Sequence, residues 1–148
     1  MGANLGQLTR LLRLLGFDVL YSNAYADDEI AAISEAQGRI VLTRGRRLLH
    51  AKAVTHGTWV RSVWPRRQVD EVVGRFDLAG LIRPFSRCAD CNGRIVLVAK
   101  AAVADCLQPK TKKHFEKFYR CPDCGKIYWE GSHVDRLRER SKMLQCKN

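Results

Sequence analysis

Acidic residues are the scarce class in this chain of 148 residues: 15 Asp and Glu stand against 26 Lys and Arg, for a net charge of +11. A charge of that size on a folded chain favours a polyanionic partner, most often nucleic acid. The excess is not confined to a tail, since residues 1–87 carry 13 basic and 8 acidic groups and residues 88–148 carry 13 and 7. Long apolar runs are also missing. With 46% apolar residues the composition is that of a globular protein, and no run approaches a membrane span, so no membrane partner is expected. The N-terminal residues show no signal peptide, and with this cysteine usage the expected location is a reducing, cytoplasmic one. Internal repeats and low-complexity tracts are absent, and the length admits one ordinary domain or a small domain plus a metal-stapled one.

What is present is a pair of cysteine motifs, Cys88-Ala89-Asp90-Cys91 and Cys121-Pro122-Asp123-Cys124, separated by 29 residues. The two-residue spacing lets consecutive thiolates close on one tetrahedral ion. Two such pairs supply the four ligands of a structural zinc site and leave no open position for chemistry. Gly93 and Gly125 follow the pairs and allow the backbone to turn beneath the metal. Two disulfides would suit a secreted scaffold, and a thioredoxin-like redox motif comes singly, so neither alternative matches the pattern. Cys106 follows an apolar stretch and reads as a small buried hydrophobe, and Cys146 as a free thiol in a charged tail.

Before the cysteines, helical and strand-like segments alternate. Leu5, Leu8, Leu11, Leu12 and Leu15 recur at helical spacing, with Gly16 as a stop. Asp18–Tyr21 reads as a short buried strand, and Asp27-Asp28-Glu29 opens a second helix that Gly38 ends. Ile40–Thr43 is a second strand, Arg44–His50 a short helix, Thr58–Val63 a third strand and Gln68–Phe76 a fourth helix. This order predicts a parallel α/β sheet with right-handed crossovers. The pattern starts on a helix, so an expected first strand is absent. Residues 79–87 form a linker around Pro84, and Arg94–Ala99, Phe115–Arg120 and Lys126–Glu130 are ribbon strands leading into or out of the cysteine turns. Between them, Ala101–Lys113 reads as a loop with a helical turn. Ser132 is a helix N-cap, and that closing helix runs to about Arg140.

Several blocks carry a resemblance: Leu5-Gly6-Gln7-Leu8, the stretch from Leu12 to Asp18, Asp27-Asp28-Glu29, Ile40 to Arg44, Phe85 to Cys88, Cys91 to Gly93, and Tyr119 through Trp129, closing on Gly131-Ser132-His133. Through them the chain resembles the Mut-seven C-terminal RNase family, a PIN-like nuclease fold followed by a zinc ribbon. The resemblance implies α/β architecture with a PIN-like domain over residues 1–84, a four-cysteine zinc ribbon with its closing helix over 85–140, and a tail over 141–148. It implies RNA as substrate, and an acidic cluster at the C-terminal edge of the sheet holding Mg²⁺ or Mn²⁺ for hydrolysis. The family places an aspartate before the Leu-Gly-x-Leu block and another directly after Leu-Thr-Arg. Here those positions are Gly2 and Gly45, so of that acidic set only Asp27, Asp28 and Glu29 stand as catalytic candidates. The capping of a helix N-terminus is the competing role for the same three residues.

Candidate RNA contacts are Arg44, Arg46 and Arg47 after the second strand, then Lys112, Lys113, Lys117 and Arg120, and His133 in the closing motif. The second lysine-rich group interleaves with Phe115, Phe118 and Tyr119, a mixture suited to single-stranded RNA, although these rings equally suit packing of the ribbon. Tyr128 and Trp129 read as core. The expectation is therefore an RNA-binding or RNA-processing protein whose catalytic set is incomplete, with structural Zn²⁺ on Cys88, Cys91, Cys121 and Cys124. The alternative is a zinc-ribbon adaptor that docks on a ribonucleoprotein or the ribosome. A DNA-binding zinc protein is weaker, since no helix-turn-helix pattern is present.

Overall fold

Of the leucine stripe at the start, Leu8 and Leu12 are buried on helix α1 (Gly6–Leu14) and Leu5 and Leu15 are buried at its two ends, while Leu11 is half-buried. This is a computed structural model, and it describes residues 5–129. Gly2, the segment Ser132–Arg140 with His133, and Cys146 lie outside the described residues. The fold is mixed α/β in two compact units. One contains the residues up to Leu11 with Val19–Leu78, and the other contains Leu12–Asp18 with the chain from Ala79 on.

In the first unit, helix α2 (Asp27–Gln37) leads into strand β1 (Val41–Thr43), which pairs in parallel with β2 (Gly57–Trp59), Leu42 lying opposite Thr58. Helix α3 (Pro65–Arg75) follows. All three β1 residues are buried, as expected for a parallel strand covered on both faces. Ala31, Val41 and Leu48 form a core cluster against which Ile30, Leu49 and Val54 pack. Helix α3 buries Val69, Val72 and Val73, each worth roughly 1.5–3 kcal/mol relative to exposure.

Several sequence expectations are corrected here. Asp18–Tyr21 forms no strand. Among the described residues the parallel sheet consists of β1 and β2 alone, and Asp18–Tyr21 makes no ladder with either. Instead the chain turns, with the Tyr21 hydroxyl donating to Asn23 and the Ala24 N–H donating to the Ser22 hydroxyl. The helix after β1 is a short 3-10 turn confined to Arg47–His50. Helix α3 starts three residues earlier than Gln68, because Pro65 has the fixed φ that suits a first helical position.

The second unit holds a three-stranded antiparallel sheet in the order β3 (Val96–Val98), β4 (Phe118–Arg120), β5 (Ile127–Trp129). Leu97, Tyr119 and Tyr128 stand opposite one another across it. The connection from β3 to β4 is more helical than expected. It carries α4 (Lys100–Val103), a 3-10 turn at Ala104–Cys106 and α5 (Pro109–His114), with Val103 buried. Cys106 lies exposed in that turn, so it is not the core residue its apolar neighbours suggested. Trp129, at the end of an edge strand, is 38% exposed rather than core.

Candidate functional site

The four cysteines converge. Their sulfur atoms all lie within 4.8 Å of one another, with Cys88 and Cys121 buried and Cys91 and Cys124 exposed. Cys88 Sγ is 3.7 Å from Cys124 Sγ, and Cys91 Sγ is 3.3 Å from Cys121 Sγ. Four thiolates at the usual ~2.3 Å around a tetrahedral ion stand about 3.8 Å apart, so this donor set fits such an ion. Each turn is built the same way. The Cys88 N–H donates to the Gly93 carbonyl and the Cys121 N–H to the Lys126 carbonyl, while the Asn92 and Gly125 N–H groups donate back to Cys88 and Cys121. Gly125 takes φ +82, a left-handed conformation costly for other residues. At Gly93 the reason is space: a Cβ would run into the Asp123 carboxylate and come within 3.1 Å of the Cys121 sulfur.

The surroundings prepare Cys88 for the charged form. Burial pushes its thiol up, but hydrogen bonds from the Tyr128 hydroxyl and from the Cys91 and Asp90 backbone outweigh this and bring it down to about 7. Burial, then the Cys88 sulfur beside it, holds the Tyr128 phenol above its ordinary range. Tyr128 therefore keeps its proton and donates it to Cys88 over 3.1 Å, while its oxygen accepts from the Ala89 N–H at 2.9 Å. At Cys91 the Gly93 N–H favours the thiolate, yet burial and the three neighbouring sulfurs prevail and raise it to about 12. Four thiolates this close cannot all be charged unless a cation is among them.

Groups from other parts of the same unit brace the first turn. Arg13, buried in α1, donates from Nη1 to the carbonyls of Ala89 (3.0 Å) and Asp90 (3.3 Å). Lys126 reaches from the second turn to the Asp90 carboxylate at 2.9 Å. Phe85 meets Tyr119 and Tyr128 edge-on, with ring centres 5.3 and 5.6 Å apart.

In the first unit the basic candidates divide. Arg44 Nη1 donates to the carbonyls of Val60, Arg61 and Ser62 at 2.7, 2.7 and 3.3 Å, so this guanidinium is directed at backbone. Arg46 is exposed and lies over the Trp59 ring, 4.2 Å from its centre. Arg47 is exposed in the 3-10 turn. Gly45, between them, exchanges hydrogen bonds with the Thr43 hydroxyl, and the nearest atom to a Cβ placed there would be that hydroxyl oxygen at 3.9 Å.

Asp27, Asp28 and Glu29 occupy the first turn of α2, all exposed. The helix is capped by Ala26 without a side-chain hydrogen bond, and Asp28 accepts the Glu29 N–H at 3.0 Å. Among the described residues, the cysteines are the one group of three or more His, Cys, Asp or Glu whose ligand atoms converge. Lys112 and Lys113 lie exposed in the last turn of α5, with Lys117 and Arg120 exposed on or beside β4. Two of the aromatics interleaved with them are engaged in packing: Phe118 is fully buried and Tyr119 meets Phe85 edge-on.

Sequence reasoning missed Arg13, Trp59 and Arg61, and it read Tyr128 only as core. The Trp59 indole donates to the Arg44 carbonyl at 2.8 Å, and Arg61 lies 5.5 Å from the same ring that Arg46 covers. Arg61 follows Trp59 by two residues, but the placement of Arg46 over a tryptophan 13 residues away has no signal in residue spacing.

No helix of the described chain is long and apolar enough to cross a membrane. Compared with known families, residues 1–141 match the model described as the Mut7-C RNAse domain. No curated protein sequence and no solved structure shows a significant match.

Proposed function

Since the chain belongs to the Mut7-C RNAse domain family, the match extending over residues 1–141, we propose that it binds RNA as part of RNA processing and that it hydrolyses RNA poorly or not at all. The family match is the observation that carries the RNA reading, and the net charge of +11 agrees with it. The second half of the proposal rests on the acidic residues. A hydrated Mg²⁺ or Mn²⁺ needs carboxylates gathered around it, yet Asp27, Asp28 and Glu29 stand exposed along one helical turn. Gly45, where the family places an aspartate, contributes no carboxylate. These residues do not fit a catalytic divalent ion.

For the cysteine cluster we propose a structural Zn²⁺ held by Cys88, Cys91, Cys121 and Cys124. Bound there, zinc would keep four thiolates charged at neutral pH and tie the two turns together. Tyr128 would steady the Cys88 thiolate, and Arg13 would fix the Ala89 and Asp90 carbonyls that frame it.

Purified protein incubated with end-labelled RNA and Mn²⁺, beside a Gly45→Asp variant, tests the reading. The added side chain has room, its Cβ meeting only the Thr43 hydroxyl at 3.9 Å. The native chain should bind RNA and leave it intact. Metal-dependent cleavage by the native chain would overturn the proposed loss of catalysis, and absence of RNA binding at low salt would overturn the whole reading.

A second reading, an adaptor docking on a ribonucleoprotein, is favoured by one feature. Val96 and Leu97 on edge strand β3 are 46% and 67% exposed, an apolar edge available for pairing with another chain.

A further inference from the structure

The segment after β2 is held by an unusual number of side-chain hydrogen bonds for an exposed loop. Arg44 takes the carbonyls of Val60, Arg61 and Ser62. The Glu71 carboxylate accepts the Arg61 N–H at 2.9 Å and the Ser62 N–H at 2.6 Å. Gln68 Nε2 adds a bond to the Ser62 carbonyl at 2.7 Å, and the Ser62 hydroxyl accepts the Trp64 N–H at 3.1 Å. Backbone polar groups at a loop surface can be left to water, so this bracketing serves to fix the path of the chain rather than to bury it.

What the bracketed segment presents is bare. Trp64 is 62% exposed and Val63 is 68% exposed. Arg61 and Arg46 both lie against the Trp59 ring, at 5.5 and 4.2 Å from its centre. Among the described residues neither guanidinium has a carboxylate or hydrogen-bond acceptor, so their N–H groups remain available. Contact with an aromatic face orients a guanidinium without neutralising it. An exposed indole three residues after Arg61 on a hydrogen-bonded loop, together with the two oriented and unneutralised cations at Trp59, offers what a single-stranded nucleic acid requires: a face on which a base stacks, and donors that follow its phosphates.

From this we infer that Trp64, Arg61 and Arg46 form a preorganised platform for single-stranded RNA, Trp64 stacking one base while Arg46 and Arg61 hold backbone phosphates. Arg44 and Glu71 act as positioning residues that set the loop and do not touch RNA. The inference rests on the RNA reading above and adds the place of contact and the preference for unpaired strands.

The test uses the full zinc-loaded chain and a fluorescein-labelled single-stranded RNA, with an abasic oligomer of the same length as a second probe. Trp64→Ala should weaken binding of the RNA about tenfold with the salt slope unchanged, and should have no effect on binding of the abasic oligomer. Arg46→Gln and Arg61→Gln should each weaken both probes and lower the slope of log affinity against log salt by about 0.7. A Lys112→Gln, Lys113→Gln double variant serves as comparison. If RNA binds with a steep salt dependence but is lost only in the lysine variant, the platform is wrong and the RNA reading stands. If the native chain binds neither probe, the RNA reading itself fails. RNA affinity that is unchanged in Trp64→Ala would likewise overturn the platform, leaving the exposed indole to a protein partner. Trp64 is surface-exposed, and circular dichroism of each variant beside the native chain checks that it is folded.

Discussion

The Tyr128 hydroxyl lies 3.1 Å from the Cys88 sulfur and accepts the Ala89 N–H at 2.9 Å, so one side chain from β5 joins a metal-ligand candidate of the first cysteine turn to that turn's backbone. Hydrogen bonds of this outer kind orient a ligand and hold it in its charged form. Tyr128→Phe removes the oxygen and keeps the ring that packs on Phe85. Zinc affinity, measured by competition with a chromogenic chelator, should fall about tenfold in that variant. An unchanged affinity would show that Tyr128 only packs.

The same contact sets a pH dependence. A thiolate must be free of its proton to bind metal, so zinc affinity rises with pH for as long as thiols are still protonated. Cys88 is brought down to about 7, whereas Cys91 is pushed up to about 12. Below pH 7 Cys88 adds its own proton to those released on metal uptake. Above it, Cys88 is already charged and adds none, while Cys91 continues to contribute. The slope of log affinity against pH should therefore drop by about one on passing through pH 7, and in Tyr128→Phe that drop should move to higher pH.

Removing the metal should act locally on the three-stranded sheet. Stripping zinc with a chelator should speed amide exchange in Val96–Val98, Phe118–Arg120 and Ile127–Trp129 far more than in Val41–Thr43. Gly93→Ala should have a milder effect in the same place. Its methyl group meets the Asp123 carboxylate and the Cys121 sulfur, a crowding worth about 1–3 kcal/mol in urea unfolding followed by tyrosine fluorescence.

Arg44 and Arg46 are two residues apart and should separate cleanly. Arg44→Gln deprives three backbone carbonyls of their donor and should cost about 1–3 kcal/mol of stability. Arg46→Gln removes an exposed cation from a ring face and should leave stability within about 0.5 kcal/mol while weakening RNA binding. Equal losses of stability in both would contradict the assignment of structural and binding roles.

Local chemistry explains which of these features were legible beforehand. The leucine stripe of α1, the Gly38 stop of α2 and the valines of α3 follow from periodicity and from the needs of helix ends. The cysteine cluster follows from two short spacings and the glycines beside them. What escaped was non-local. Asp18–Tyr21 has a strand's composition, but strand formation depends on a partner that the segment itself does not specify. Cys106 looked buried because its neighbours are apolar, yet a short 3-10 turn carries it to the surface. The aromatics among the basic residues at β4 suited an RNA role and packing equally, and only the tertiary contacts decide: Phe118 is buried and Tyr119 meets Phe85. Arg13 and Trp59 acquire their roles only from residues 76 and 15 positions away.

The central claim is that this member of an RNase family retains RNA binding after losing the acids for cleavage. It is tested most directly by titrating labelled single-stranded RNA with the native protein in Mn²⁺ from about 50 to 200 mM salt and examining the RNA afterwards. The account predicts affinity that falls steeply and linearly on a log–log plot, with the RNA recovered at full length. RNA recovered in metal-dependent fragments, or affinity indifferent to salt, would contradict it.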